Sequence, residues 1–156
     1  MTMSNSERVF HRKTAAHCFN RAWDYLEMKD RDPLDEQQML HLAHASRFHW
    51  TLVGTPRNKA VGDWQISRVY AALNLPQLAL QFAKSSLSLC EQHDLEEILC
   101  TAHEAMARAY ATASDYPSAK NHIKKAHELL NASKVDADDR EIFQGQIRET
   151  EEMIGG

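Results

Sequence analysis

Apolar positions along the chain recur at spacings of three, four and seven, the spacing of one helix face. In the first segment Val9, Ala16, Phe19, Trp23 and Leu26 fall on such a face. Ser4 followed by Glu7 is a capping-box pattern, which predicts a helix start near Asn5. The run from Lys29 to Asp35 breaks this helix, because Pro33 has no backbone N–H and pushes Asp32 out of the helical region. A second helix is expected from about Glu36 to Val53, closed by Gly54. Thr55-Pro56 is an N-cap with proline in the first turn and opens a third, ending near Asn74. Leu75-Pro76 opens a fourth, which reaches about Gln92, and Asp94 with Glu97 reads as a capping box for a fifth. Asp115-Tyr116-Pro117 opens a sixth, ending near Ser133, and Asp136 to Asp139 a seventh, running to Ile154. The links after the second helix are short, so consecutive helices must lie antiparallel and adjacent. The pattern predicts an all-α run of helix hairpins.

Two helices carry two apolar stripes each. In the second, Met39, Leu42, Ala43, Ser46, Trp50 and Val53 form one, and His41, Ala45, Phe48 and Leu52 another. In the third, Ala60, Trp64 and Ala71 stand opposite Ile66, Val69 and Leu73. A helix apolar on two sides is expected between two neighbours in a stack. The last helix has a single stripe, Phe143, Ile147, Thr150 and Ile154, as expected of a solubilising end cap.

Residues 63–86 repeat at 103–126, a shift of 40. Arg68 matches Arg108, Tyr70 matches Tyr110, Ala71 matches Ala111, Ala79 matches Ala119 and Lys84 matches Lys124. The small and aromatic positions run Ser67, Tyr70, Ala79, Ser86 in one unit and Ala107, Tyr110, Ala119, Ala126 in the next. Small residues let antiparallel helices approach, and the aromatic fills the wedge between hairpins. This pattern resembles the tetratricopeptide repeat, over about residues 60–133. It departs from the family in its 40-residue period, in a tryptophan (Trp64) one place late, and in Glu104 at the equivalent position of the second unit. The segments 44–50 and 64–70 are also similar to an uncharacterised bacterial group of such proteins. The resemblance implies an α-α superhelix of about three hairpins: a diverged one at 5–53, repeats at 56–91 and 95–133, and a capping helix at 138–154. The first hairpin does not align at the shift of 40.

Composition narrows the function classes. The chain has 156 residues, enough for one domain with a real core. A net charge of −4 gives no support to gripping a nucleic-acid backbone, and the Lys120, Lys124 and Lys125 edge reads as a solvated face. Cys18, Cys90 and Cys100 are odd in number, far apart and set in apolar helical pattern, as buried thiols of a reducing compartment would be. No apolar run is long enough to span a bilayer, and Met1 to Arg8 has no apolar h-region. A cytoplasmic location is expected.

In the family that the repeats resemble, the first helix of each hairpin lines a concave groove. Carried over, the groove positions are Trp64, Gln65, Arg68, Ala71 and Ala72 in one unit, and Glu104, Ala105, Arg108, Ala111 and Thr112 in the next. Arg68 and Arg108 then project from equivalent places, where two guanidinium forks suit a carboxylate or phosphate. The competing expectation is that each pairs with a nearby Asp or Glu, or that Arg68 stacks on Trp64. A second polar cluster combines His17 and Asp24 of the first helix with His44 and Arg47 of the second. Arg47 paired with Asp63 or Asp24 would fix how the second helix seats on its neighbours.

Nine histidines suggest a metal, but no His-Glu-x-x-His or Glu-x-x-His is present, and neither a nucleophile elbow nor a phosphate loop occurs. No metal or cofactor is assigned. The favoured expectation is a non-catalytic scaffold holding a protein or peptide in its groove. The alternative is a small-molecule or metal site, possible as an enzyme, built from the His/Arg/Trp cluster of the first hairpin. Self-association through Trp50 and Phe48 or the end helix is a third expectation.

Overall fold

The computed structural model describes residues 2–155, and these form seven α-helices. They are α1 (Asn5–Glu27), α2 (Pro33–Val53), α3 (Pro56–Ala72), α4 (Pro76–Gln92), α5 (Glu96–Thr112), α6 (Tyr116–Ala132) and α7 (Ala137–Met153). The helices pair as hairpins α1/α2, α3/α4 and α5/α6, and the hairpins stack in chain order. α7 closes the far end and lies against α5 and α6. No helix among the described residues is long and apolar enough to cross a membrane.

From α3 to α6 the chain keeps a fixed pitch. Each of these helices has 17 residues, and they begin at Pro56, Pro76, Glu96 and Tyr116, twenty positions apart. The links repeat as well. Asn74, Asp94 and Ser114 adopt left-handed backbone, with φ of 58°, 53° and 62°. The next N–H in each case folds back to a carbonyl of the last helical turn: Leu75 to Tyr70, Leu95 to Cys90 and Asp115 to Tyr110, all at 2.9 Å. These are Schellman closures made without glycine. Asp94 is therefore part of the turn, and the expected Asp94/Glu97 capping box does not form; the residue at the N-cap is Leu95, with no side-chain bond.

Two other expectations are corrected. α2 begins at Pro33, where Asp32 and Asp35 form a capping box, so the proline starts this helix as well as separating it from α1. The stripe of His41, Ala45, Phe48 and Leu52 on α2 is not sandwiched; Phe48 and Leu52 face solvent, because α2 packs on α1 and α3 through Met39, Ala43, His44, Ser46 and Arg47 instead.

Small residues set the helix spacing. Ser67 Oγ donates to Ala79 O at 2.7 Å, joining α3 to α4, and Ser86 Oγ donates to Ala60 O at 2.8 Å. In the next hairpin the matching Ala107 and Ala126 are fully buried. The first hairpin obeys the same rule: Ser46 Oγ donates to Ala15 O at 2.8 Å. That bond places Ala15 on Ala60 and Ser46 on Ser86, which aligns Ala22 and Tyr25 with Ser67 and Tyr70. The first hairpin is thus a third copy of the unit. It escapes alignment because Tyr25 and Met39 are 14 positions apart, whereas Tyr70 and Ala79 are nine apart. Of the five added residues, two lengthen the α1–α2 loop and three form an extra first turn of α2, which begins at Pro33. Arg31 from this loop donates to the carbonyls of Tyr25, Leu26 and Met28, satisfying the open end of α1.

The three cysteines are buried and unbridged. Burial pushes the Cys90 thiol up to about 12 and the Cys100 thiol up to about 11, so both stay protonated.

Candidate functional site

With the first hairpin in register, two rows of side chains run across the concave face. Phe19, Trp64 and Glu104 occupy one repeating position, and Trp23, Arg68 and Arg108 another, one turn further on. The Trp23 and Trp64 rings lie with centroids 5.5 Å apart. The Arg68 guanidinium sits over both, 5.2 Å from Trp23 and 5.8 Å from Trp64.

Glu104 is the centre of this face and is completely buried. One carboxylate oxygen accepts from Trp64 Nε1 at 3.1 Å; the other accepts from Arg108 Nε at 3.1 Å and from Thr150 Oγ1 at 2.7 Å. Arg68 stands 3.8 Å from the same oxygen. Burial alone would raise this carboxyl. Arg108, Arg68 and the bonds from Thr150 and Trp64 outweigh it and hold the group below its ordinary value. A buried charge needs such a full set of partners.

Thr150 belongs to α7, and so does Glu149, which accepts from Arg68 and lies 3.5 Å from Arg108. The two arginines therefore hold a carboxylate, and it is the chain's own. Trp64, Gln65, Arg68, Glu104 and Arg108 are brought together, but α7 covers the end of the face where the arginines lie. Gln65 is fully buried, its Nε2 donating to Phe19 O at 2.9 Å. Thr112 bonds within its own helix, donating to Arg108 O at 2.8 Å.

The second cluster does not assemble. His17 is exposed, and Asp24 is exposed beside Arg21 of its own helix. His44 lies 2.9 Å from the Tyr70 hydroxyl and edge-on to Phe82. Burial lowers its pKa, against the pull of Asp63 and with a small push from His41. Arg47 Nε donates to Asp63 at 2.9 Å, and Ser85 donates to the same carboxylate, so this group pins α2, α3 and α4 together. Gly62 makes room for it, since a Cβ there would fall 2.8 Å from Arg47 Cδ. The other histidines are dispersed; His11 faces His49, and His103 faces His122. No group of three or more His, Cys, Asp or Glu able to hold a metal occurs among the described residues.

What α7 leaves open is a cavity of about 600 Å³ between α1, α3, α5 and α7. Phe19, Trp23, Trp64, Ile98 and Phe143 give it apolar walls, with Arg68 at its inner end. Gly145 lies on the α7 wall in mid-helix, and a Cβ added there would meet nothing within 4 Å. Glycine costs a helix interior about 1 kcal/mol relative to alanine. No packing contact requires it here. Two hollows of about 150 Å³ continue the cavity. One shares Phe19, Arg57 and Val61 with it, the other Arg57, Asp139 and Phe143.

Besides Arg57 and Ile98, the sequence reading missed Phe19 and Trp23. The signal was the Ala22-x-x-Tyr25 pair, hidden by the longer loop. The contribution of α7 had no signal in the repeat, because α7 lies outside it. No protein-family model, curated protein or solved structure matches the chain.

Proposed function

We propose that the protein is a non-catalytic binding scaffold, similar to tetratricopeptide-repeat proteins, whose concave cavity takes a short peptide segment of a partner protein. The observation that carries this reading is the cavity itself: apolar, ring-lined, about 600 Å³, and placed where α1, α3, α5 and α7 meet. The contact residues move accordingly. Trp23, Phe19, Arg57 and Phe143 replace the arginine pair as the accessible surface, because Arg68 and Arg108 are engaged by Glu104 and Glu149. The reading in which the first hairpin forms a metal or small-molecule site has no comparable support, since His44 and Arg47 serve helix contacts there.

The test is a titration of peptides selected from a random library, followed by the emission of Trp23 and Trp64. Saturable binding should shift the emission, and Trp23→Ala should weaken it at least tenfold while leaving helicity intact. Binding unaffected by Trp23→Ala would contradict the proposal.

A further inference from the structure

The charges around the cavity define what kind of segment it suits. Arg68 and Arg108 are balanced by Glu104 and Glu149, so the inner end contributes no net charge. Around the remaining track of cavity and hollows stand Glu27, Glu97, Asp136, Asp139 and Glu141, opposed only by Arg57 and Lys134. Asp136 also caps α7, accepting from Asp139 N, but its charge remains. An apolar trough with acidic edges excludes a carboxylate ligand by like-charge repulsion and favours a cation. Trp23 and Trp64 already carry Arg68, but Phe19 and Phe143 add to that preference, since aromatic faces attract ammonium and guanidinium groups. The hollows prolong the cavity on both sides of Arg57, giving it the outline of a strip rather than a closed chamber. A strip fits a stretch of extended chain.

We infer that the cavity takes a basic peptide segment, with an arginine or lysine side chain against the aromatic walls and apolar residues on either side of it. This rests on the peptide-binding reading above.

The experiment uses fluorescence anisotropy with labelled peptides of about eight residues. Leucine and phenylalanine are kept constant, and two positions carry arginine, glutamine or glutamate. The arginine peptides should bind at least tenfold more tightly than the glutamate ones, with affinity falling as salt rises. Glu27→Lys combined with Glu141→Lys, both at exposed positions, should weaken arginine peptides about tenfold and strengthen glutamate peptides. Gly145→Phe should abolish binding of every peptide, while its melting temperature stays at or above the parent's, because glycine leaves a helix interior. Arginine peptides that bind Gly145→Phe as well as the parent would place the charge effect on another surface and overturn the inference. Glutamine or glutamate peptides that bind as tightly as arginine ones, and are lost in Gly145→Phe, would overturn the charge class and leave peptide binding standing. Failure of all three classes would remove both.

Discussion

From Pro56 to Ala132 the chain repeats a 20-residue helix-and-turn, whereas α1, the loop after it and α7 keep no such pitch. The two regions are held together by different means. In the regular part the contacts are small residues and shared turns: Ser67 on Ala79, Ser86 on Ala60, and three left-handed links of one geometry. At the junction with α7 an apolar contact through Ile147 is joined by buried charge and its partners, gathered on Glu104. The cavity lies where the regular hairpins meet the irregular elements, walled by Phe19 and Trp23 from α1 and by Phe143 from α7. A repeat supplies a rigid curved wall; the specific shape comes from what breaks the repeat.

The largest effect should come from cutting the charged centre. Glu104→Ala leaves the Trp64 N–H and Arg108 Nε without their acceptor, and only Glu149 facing the two guanidinium groups. Removing one partner of a buried charged set costs about 3–5 kcal/mol, so urea unfolding should show a loss of this size. A loss under about 1 kcal/mol would mean that α7 is not held through Glu104.

An acid titration separates two neighbours in sequence that serve the two regions. His103, in the α5/α6 contact, has its pKa lowered to about 4 by burial and by the positive charge that His122 and Lys125 bring near it. Between about 6.5 and about 4 the unfolded chain takes up a proton that the folded one refuses, so stability falls with pH over that window. His44, His49 and His122 are lowered too and act in the same direction. Glu104 behaves as a depressed carboxylate; its contribution is full above 4.5 and is lost only below. His103→Gln should therefore flatten the upper part of the pH–stability curve, measured by thermal melts, and leave the lower part. An unchanged slope between pH 6.5 and 4.5 would show that His103 is not held neutral.

The smallest effect concerns the turns. Serine has no special tolerance for left-handed backbone, which costs about 1–2 kcal/mol for an ordinary L-residue. Ser114→Gly should raise stability by about 1 kcal/mol, and Asn74→Gly by less, since asparagine visits that region readily. Equal gains at both sites would mean that side-chain tolerance is not what distinguishes these links.

Much of this was legible in the sequence, for reasons that differ between the regions. Helix number and pairing followed from Pro56, Pro76 and the short links, because caps and prolines act locally. The Ser67/Tyr70 and Ala107/Tyr110 pairs marked the packing because close approach restricts residue size. Asp94 misled, since an aspartate before an acidic first turn suits both an N-cap and a left-handed turn, and the pitch of the stack selects the turn. The first hairpin was hidden by five added residues, two in its loop and three in the first turn of α2, that shift its register without altering its packing. The Glu104 partnership was least legible. Thr150 and Glu149 lie 46 and 45 positions away on a helix outside the repeat, and no local rule connects them.

The most direct test of the account is to map backbone amide shifts on adding a saturating arginine peptide. Perturbations should fall on α1 around Phe19 and Trp23, at the start of α3 around Arg57 and Val61, and on α7 from Asp139 to Glu149, with the convex surfaces of α4 and α6 unchanged. Perturbations confined to α4 and α6, or none at any peptide concentration, would contradict the claim that the irregular elements form the binding site on a repeated scaffold.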